Sequence, residues 1–462
     1  MRFRLAFSFI CMIASVVHAQ KIVSVKSPDG QVQLNVTLSD KVYYDVISRG
    51  ETLIEKGHLG MTLDCATIGS NPVMSSHKVK TAEETVQPLM PLKSAQIENK
   101  YTSLMMNMKG NYSVEWRVYD DGVAYRMHTN LKGRVKVLSE DFNIQLKEDT
   151  RLVLQQPRGF KTSCEEEYTN VQSASWKQDD RMSELPLVIA GKKQKMFVSE
   201  FCLFDYPGMF MKGNADNSLC AVHPQVPLEF GDDGDRSVKI TKEADYIAET
   251  DGTRSYPWRY IHITADDKDM VCNTMPMRLA PASEIADPSW IRPGKTTWEW
   301  WNGSIPYGPD VNFKSGLNIE TYKYFVDFAA ANGLEYILMD EGWAKSTRDP
   351  FTPNPDIDLH ELIDYAKSKN VCVILWLTWL TVVNHPTMFE TFEKWGVAGV
   401  KIDFMDRQDQ WMVKFYERTA KAAAEHHIFV DYHGAYHPSG LEYKYPNVLT
   451  FEGVRGMEYM GG

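Results

Sequence analysis

Two apolar segments of this chain end in residues that could act as nucleophiles, acids or bases. The segment Gly399–Phe404 reads GVKIDF, and the segment Glu335–Trp343 reads EYILMDEGW. Each segment predicts a buried parallel strand, and the carboxyl ends carry Lys401, Asp403 and Asp340. Because α/β barrels do their chemistry at the carboxyl ends of the strands, we expect these three side chains to share one face.

Further strand ends add aromatic and acidic residues to this face, namely Trp300, Trp376, His433, Glu452 and Glu458. The sequence contains no HExxH motif, no glycine-rich phosphate loop, and no serine or cysteine on a sharp glycine-flanked turn. The chemistry that these residue types can still perform is acid catalysis, base catalysis and nucleophilic attack by a carboxylate. Glycoside cleavage fits this set best, since it needs one carboxylate beside the developing oxocarbenium ion and one carboxylic acid at the leaving oxygen.

The regions that position these residues differ in periodicity. From residue 20 to 280, apolar residues alternate with polar ones, as in the run Val32, Leu34, Val36 and Leu38, which predicts a large β-sandwich. The proline-rich segment 281–294 predicts a linker. From residue 295 to 462, strand and helix patterns alternate, which predicts a parallel (β/α)8 barrel of the TIM type.

The barrel region is shorter than a complete barrel. A (β/α)8 barrel takes roughly 250 residues, whereas residues 295–462 hold patterns for about six strands. We therefore expect an incomplete barrel with about six of eight strands, truncated at its carboxyl terminus.

Residues 1–19 have the pattern of a signal peptide. Arg2 and Arg4 precede the apolar run Leu5–Val17, and small residues end the segment. The run is shorter than the ~20 residues that a membrane-spanning helix needs. We therefore expect secretion, to the periplasm of a Gram-negative bacterium, with no membrane insertion after the signal is removed. The net charge of −11 argues against nucleic acid as a partner.

Six motifs together resemble glycoside hydrolase family 97 along nearly the whole chain after residue 19. They are DDGVAYR, TTWEWWNG, MDEGW, VKIDFMDR, DYHGAYHPSGLEYKYPNV and LTFEGVRGMEY. The resemblance implies a β-super-sandwich followed by a catalytic (β/α)8 barrel and a small C-terminal β domain, with calcium beside the catalytic acid. This sequence stops before the last two barrel strands and that β domain.

The resemblance also implies a mechanism. Inverting members of the family carry a general-base glutamate where this chain has Gly434, whereas retaining members have glycine there and an aspartate nucleophile on the K-x-D strand. Lys401, Asp403 and Gly434 match the retaining pattern. Asp403 is then the nucleophile and Glu458 the general acid/base, and retention requires their carboxyl groups to lie about 5 to 5.5 Å apart.

The same resemblance implies the remaining roles. Asp340, Lys401 and His433 match residues that bind sugar hydroxyls, and Trp300 matches a stacking wall. The resemblance implies that Glu165, Glu452 and Glu458 are the calcium ligands, with Glu166 and Glu167 as alternatives to Glu165.

Simpler interpretations stay open for several of these residues from the sequence alone. Asp403 could cap a helix or pair with Lys401, and Trp300 and Trp376 could belong to the barrel core. Asp406 is expected to cap the helix after it.

The function expected from this resemblance is that of a secreted retaining exo-glycosidase acting on terminal α-galactosides. Its partner is an oligosaccharide or polysaccharide-derived galactoside, and we expect a monomer or a weak homo-oligomer. The alternatives are a β-L-arabinopyranosidase or α-glucosidase of the same family, or an inactive sugar-binding remnant.

Overall fold

The computed structural model describes residues 21–461. Residues 1–19, where the sequence predicts a signal peptide, lie outside the described residues. Within 21–461, no helix combines the length and the apolar character needed to cross a bilayer.

The first part of the chain is built almost entirely of strands. They are β1 (Lys21–Lys26), β2 (Val32–Leu38), β3 (Val42–Ser48), β4 (Glu51–Leu63), β5 (Thr67–Ile68), β6 (Met74–Val86), β7 (Ile97–Met108), β8 (Tyr112–Tyr119), β9 (Gly122–Gln145), β10 (Arg151–Gln155), β11 (Tyr168–Gln172), β12 (Leu187–Ala190), β13 (Lys195–Phe201), β14 (Phe210–Gly213), β15 (Ser218–Val222), β16 (Pro227–Asp233), β17 (Ser237–Glu243), β18 (Ala248–Ser255) and β19 (Trp258–Thr264).

These strands form antiparallel sheets that share the long strand β9. The first half of β9 pairs with β8 and β19, and its second half pairs with β4 and β15. β9 therefore passes from one sheet of a sandwich into the other. The predicted alternation is confirmed on β2, where Val32, Leu34, Val36 and Leu38 are the buried residues. Strands β16 and β17 form a separate two-stranded hairpin.

Two short helices, α1 (Asp267–Val271) and α2 (Met275–Leu279), come after the last sandwich strand. In the described part of the chain, no strand lies between Thr264 and Thr296. The predicted linker at 281–294 falls in this interval, and the domain limits themselves stay a prediction.

Strands and helices alternate after this interval. The elements are β20 (Thr296–Trp298), a 3-10 helix (Glu299–Asn302), α3 (Ile319–Ala331), β21 (Tyr336–Met339), β22 (Ala344–Ser346), β23 (Asp349–Pro353), α4 (Leu359–Ser368), β24 (Cys372–Thr378), α5 (Trp379–Asn384), α6 (Met388–Trp395), β25 (Gly399–Asp403), α7 (Gln410–Glu425), β26 (Phe429–Tyr432), α8 (Leu441–Lys444), β27 (Val448–Phe451) and a second 3-10 helix (Met457–Gly461).

The six strands β20, β21, β24, β25, β26 and β27 pair in this order, and every pair is parallel. At least one helix connects each strand to the next, as parallel pairing requires. The sheet curls into a partial barrel. The predicted fold class, a β-sandwich followed by an incomplete (β/α)8 barrel with about six strands, is confirmed.

Two local predictions differ from the structure. The sequence predicts that the first barrel strand reaches Trp301, but it ends at Trp298, where a 3-10 helix turns the chain. Asp406 does not cap α7. Asp409 does so, since its carboxylate accepts a hydrogen bond from the Met412 amide at 3.1 Å. Asp406 is thereby left to face the carboxyl end of the sheet.

The sandwich is attached to the barrel next to β25. The Gly208 amide donates to the Gln408 carbonyl at 2.8 Å, and the Gln410 side chain donates to the carbonyl groups of Asp205 and Glu249 at 3.1 and 3.0 Å. A Cβ on Gly208 would lie 1.9 Å from Gln408 Oε1, so only glycine allows this approach. The sandwich is thus fixed against the segment directly after the K-x-D strand.

Candidate active site

Alternation along the parallel strands decides which side chains face the barrel interior. On β21, Tyr336 and Leu338 belong to an interior cluster, whereas Ile337 and Met339 belong to the main core with residues of the surrounding helices. Asp340 is the next interior position. The corresponding positions at the ends of the later strands are Trp376, Lys401, Asp403, His433 and Glu452, so the interior changes from apolar to polar at the carboxyl end.

Lys401 joins two of these strand ends through its ammonium group. Its Nζ lies 2.9 Å from Asp340 Oδ2 and 3.8 Å from Asp403 Oδ2, and all three residues are buried. Burial disfavours the charged ammonium, but Asp340 and Asp403 outweigh it, so the pKa of Lys401 lies above its usual value. Breaking a buried pair of this kind costs about 3–5 kcal/mol, because a charge is left without compensation.

Trp298 completes the surroundings of this ion pair. The Lys401 Nζ lies 4.4 Å from the centroid of the Trp298 ring, and the indole Nε1 donates to Asp340 Oδ2 at 2.6 Å. Trp300 stacks on Trp298 with ring centroids 5.1 Å apart, and half of its surface is exposed. Trp300 is therefore a wall residue and does not belong to the barrel core.

A buried glutamate behind Asp340 fixes the backbone there. Glu299 Oε1 accepts hydrogen bonds from the Asp340 amide at 2.7 Å and from the Tyr322 hydroxyl at 2.8 Å. Burial raises the pKa of Glu299 to about 7. Glu299 therefore acts on the site indirectly, by holding the backbone of Asp340 in place.

Asp403 is buried and its two carboxylate oxygens have different partners. Oδ2 accepts a hydrogen bond from Trp376 Nε1 at 3.0 Å, and Oδ1 accepts one from the Phe404 amide at 2.8 Å. His433 Nδ1 lies 3.7 Å from Oδ2. Trp376 is thus buried, as the core interpretation expects, and it also orients the predicted nucleophile.

His433 and Glu452 form a second charged pair beside Asp403. Glu452 Oε2 lies 2.8 Å from His433 Nδ1 and accepts a hydrogen bond from the Gly434 amide at 3.0 Å. Burial opposes ionisation of Glu452, but the hydrogen bond from His433 outweighs it, so the pKa of this carboxyl lies below its usual value. Burial likewise opposes the charge on His433, and Glu452 raises the pKa of the imidazole.

Three glutamates from two parts of the chain converge at the edge of this pair. Carboxylate oxygens of Glu165, Glu452 and Glu458 all lie within 4.8 Å of one another. Burial and the charge of Glu452 raise the pKa of both Glu165 and Glu458. Within residues 21–461, no lysine or arginine lies within 4.0 Å of the Glu165 or Glu458 carboxylates. A cluster of oxygen ligands with unbalanced negative charge fits a hard cation such as calcium.

The space for a side chain at Gly434, next to Asp403, is tight. Its φ is +59°, and a Cβ would lie 2.9 Å from Asp406 Oδ1 and 3.3 Å from Asp403 Oδ1. Burial, together with the charge of Asp403, raises the pKa of Asp406 to about 7. The Asp406 carboxyl group therefore occupies the space that a larger residue at 434 would need.

The β16–β17 hairpin extends from the sandwich over the opposite side of the site. Arg236 at its tip donates two hydrogen bonds to the Glu341 carboxylate, at 3.0 and 2.8 Å, and its guanidinium carbon lies 5.2 Å from the centroid of the Phe404 ring. The Arg348 side chain donates to the Gly234 carbonyl at 2.6 Å. The sandwich thus reaches the site from two sides, with the Glu165 loop and with this hairpin.

These groups surround a cavity of about 470 Å³. Its lining includes every residue that the sequence predicts for the site: Glu165, Trp300, Asp340, Lys401, Asp403, His433, Glu452 and Glu458. Glu166 and Glu167, the alternatives to Glu165, line a different pocket with Arg455. The structure thus brings the predicted residues together, and their roles stay predictions.

A larger cavity of about 820 Å³ lies elsewhere, between the loop around Leu89 and the apolar interior residues Tyr336, Ile374 and Phe429. Its carboxylates, those of Glu84, Asp431 and Glu442, form no group that could hold a metal ion among the described residues. We therefore assign the candidate active site to the smaller one.

Among the residues that line this cavity or hold its groups, Trp298, Glu299, Asp406 and Arg236 are absent from the set that the sequence predicts for the site. Trp298 and Glu299 lie within the motif TTWEWWNG and could have been found there by the alternation of the strand, whereas Asp406 is predicted from sequence only as a helix cap. Arg236 has no sequence signal, because the hairpin that carries it is distant in the chain from every barrel strand.

Two family models match the chain. The Glycosyl-hydrolase 97 N-terminal model matches residues 25–281, and the Glycoside hydrolase 97 model matches residues 300–454. A retaining alpha-galactosidase of Bacteroides thetaiotaomicron is 35% identical over 474 residues, which cover 99% of this chain and 71% of that protein. A probable retaining alpha-galactosidase of Streptomyces bingchenggensis is 27% identical, covering 93% of this chain and 64% of that protein.

Solved structures show the same fold. A glycoside hydrolase family 97 enzyme from Pseudoalteromonas sp. strain K8, in complex with acarbose, has a TM-score of 0.80 at 21% identity, covering 95% of this chain and 70% of that one. A beta-arabinopyranosidase has a TM-score of 0.77 at 25% identity, covering 95% of this chain and 71% of that one. The chain therefore belongs to glycoside hydrolase family 97 and is a glycosidase.

Proposed function

We propose that this glycosidase hydrolyses terminal α-galactosides with retention of configuration, with Asp403 as nucleophile and Glu458 as general acid/base. The observation that carries the proposal is the backbone at Gly434. An inverting mechanism needs a second carboxylate that activates water on the far side of the sugar. Position 434 is a glycine and supplies no carboxylate for that role, and a Cβ there would already lie 2.9 Å from Asp406 Oδ1 and 3.3 Å from Asp403 Oδ1.

The surroundings of Asp403 suit a nucleophile. Trp376 and the Phe404 amide hold the two carboxylate oxygens in place, and Lys401 and His433 add positive charge nearby. In the first step Asp403 attacks the anomeric carbon, the glycosidic bond breaks, and Glu458 gives its proton to the leaving oxygen. In the second step Glu458 takes a proton from water, which attacks the glycosyl-enzyme and releases Asp403.

Glu458 needs a proton near neutral pH for this role. Burial and the charge of Glu452 raise its pKa, which favours the protonated acid. Asp340, Lys401 and His433 would bind the hydroxyl groups of the terminal sugar, and Trp300 would stack on its apolar face.

We propose calcium as the cofactor, held by carboxylate oxygens of Glu165 and Glu452 with Glu458 beside them. When bound, the ion supplies positive charge to this acidic cluster and ties the sandwich to the barrel. Secretion to the periplasm is likewise proposed, from the pattern of residues 1–19.

The choice of galactose rests on the relatives. Two of them are a retaining and a probable retaining alpha-galactosidase. The second candidate is a β-L-arabinopyranosidase, which is favoured by the structural likeness to a beta-arabinopyranosidase. The two sugars differ only by the hydroxymethyl group of galactose.

The proposal is tested by hydrolysis of nitrophenyl α-galactoside, α-glucoside and β-L-arabinopyranoside in the presence of calcium, with proton NMR of the first product. We expect the α-galactoside to be cleaved fastest and to give α-galactose before mutarotation. A first product of β configuration contradicts retention. Faster cleavage of the arabinopyranoside favours the second candidate, and binding of galactose without turnover favours a non-catalytic sugar-binding protein.

Replacing the nucleophile gives a separate test. The substitution Asp403→Gly should lower kcat by roughly 10⁴ to 10⁶-fold, the range measured when members of a covalent catalytic machinery are removed. Azide can enter the space of the lost carboxylate, so it should restore part of the turnover and form β-galactosyl azide. Mass spectrometry and NMR identify that product. Loss of activity without any glycosyl azide contradicts the nucleophile role.

The lack of space at Gly434 gives a further prediction. Gly434→Ala should lower kcat by up to about 10²-fold, the effect of a displacement near 1 Å, because the added Cβ would press on the Asp406 and Asp403 carboxylates. Gly434→Glu should yield no inverted product. Initial rates and product NMR check both.

The matched control is Gly396→Ala. Gly396 also has a left-handed φ of +86°, but the nearest atom to its Cβ would be Ile363 Cγ2 at 3.6 Å, away from the cavity. Gly396→Ala places an alanine in the same left-handed backbone conformation, so its strain is similar, but it presses on no carboxylate. Equal kcat for the two alanine variants contradicts the role of space at 434.

Removal of calcium should lower both activity and stability. A ligand present at 100 times its Kd stabilises the folded state by about 2.7 kcal/mol, so chelation should lower the melting temperature measurably. Glu165→Gln should abolish this response, whereas Glu167→Gln should keep it, because Glu167 lies outside the cluster and pairs with Arg455. An unchanged melting temperature and rate after thorough chelation contradict the calcium site.

A further inference from the structure

The loop that carries Glu165 is held by a buried glutamine of the sandwich. Gln155 is the last residue of β10, and only 3% of its surface is exposed. Its side-chain Nε2 donates to the Cys164 carbonyl at 2.9 Å and to the Glu166 carbonyl at 2.8 Å. Both protons of one amide group thus bind the carbonyl groups on the two sides of Glu165.

Gln155 itself is fixed by the sheet. It pairs with Tyr168 at the start of β11, and its backbone carbonyl accepts a hydrogen bond from the Glu184 amide at 2.9 Å. The loop between β10 and β11 contains no helix or strand. The backbone groups of the loop therefore need hydrogen-bond partners outside helices and sheet ladders, and the Gln155 side chain is one of them.

The backbone of Cys164 is strained, and contacts with surrounding groups must offset the free energy of this strain. Its φ is +60°, in the left-handed region that residues other than glycine rarely adopt. Strain of this kind persists only where surrounding contacts fix the conformation, and it concentrates at functional sites. The Gln155 bond to the Cys164 carbonyl is one such contact. Another is the bond from the Cys164 amide to Thr162 Oγ1 at 3.1 Å.

The other end of the loop is attached independently of Gln155. The Thr162 amide donates to the Asp406 carbonyl at 2.7 Å, and the Thr162 hydroxyl bonds to Glu184. The Glu165 carboxylate accepts hydrogen bonds from Ser163 Oγ at 2.7 Å and Tyr459 OH at 3.0 Å. The Glu165 carbonyl also accepts a hydrogen bond from Arg455 Nη1 at 3.2 Å. Loss of the Gln155 contacts should therefore free the carbonyl groups of Cys164 and Glu166 without detaching the loop from the barrel.

We propose that Gln155 is a positioning residue for the calcium site: it fixes the carbonyl groups of Cys164 and Glu166, the residues on both sides of Glu165, and thereby aims the Glu165 carboxylate at Glu452 and Glu458. The inference rests on the proposed calcium site. Gln155 contacts neither the cavity nor the cluster of carboxylates directly. Its effect must reach the metal through Glu165 alone.

The experiment compares Gln155→Leu with Gln156→Leu in the same protein. Leucine at 155 removes both donors and keeps a similar volume. Gln156 is the neighbouring residue, and its Nε2 donates to the Arg181 carbonyl at 3.1 Å, outside the Glu165 loop. Calorimetric titration with calcium should show a Kd for Gln155→Leu that is about 10- to 100-fold weaker, as for other groups that orient metal ligands, and an unchanged Kd for Gln156→Leu.

A second variant guards against misfolding. Gln155→Glu keeps the shape of the side chain but cannot donate two hydrogen bonds, so it should weaken calcium binding at least as much. Hydrogen exchange of the amides at 163–167 in calcium-free protein should be faster in both Gln155 variants, which identifies loosening of the loop as the cause.

The outcomes separate the two proposals. If the wild type binds calcium and both Gln155 variants bind it within twofold, the positioning role is overturned and the metal site stays. If the wild type binds no calcium, the metal site is overturned and the inference with it. If Gln156→Leu weakens binding as much as Gln155→Leu, the effect is general to this edge of the sheet and the specific role of Gln155 is overturned.

Discussion

The ammonium group of Lys401 is the point on which the arrangement of the site depends. It lies between Asp340 and Asp403, which stand at the ends of two strands separated by β24. Two carboxylates this close to each other and this deeply buried would repel without a cation between them. The lysine therefore offsets the repulsion between the two acids that β21 and β25 bring to the same cavity.

The partners of Lys401 extend this constraint outward. Trp298 binds Asp340 and covers the ammonium, and Glu299 fixes the backbone of Asp340 from behind. On the other side, Trp376 lies on β24, the strand between β21 and β25, and its indole donates a hydrogen bond to Asp403. Each of these contacts uses an interior position of a parallel strand or the residues directly after it. The side chains that face the proposed sugar site are thus oriented by other protein groups, as preorganised catalysis requires.

Local patterns in the sequence were sufficient to predict the two folds and most of the site. Period-two alternation indicated the sandwich, strand–helix alternation indicated the barrel, and strand ends located Asp340, Lys401, Asp403 and His433. Arg236 could not be predicted, because contact between the β16–β17 hairpin and the barrel depends on how two regions pack and leaves no periodic trace. Asp406 shows a different limit, since Asp409 competes for the same cap and only the three-dimensional backbone decides between them.

The proposed calcium ion and the proposed acid/base share one group of carboxylates, and their charges have to be compatible. Glu165, Glu452 and Glu458 carry three negative charges when all are ionised, and a bound dication would favour the ionised form of each. His433 offsets the charge of Glu452 through a 2.8 Å contact, and the Glu165 carboxylate accepts hydrogen bonds from Ser163 and Tyr459. Glu458 has no such partner among the described residues, so it is the carboxyl group of the three that keeps a proton most easily. The same cluster can then bind the cation through two carboxylates and keep the third as an acid.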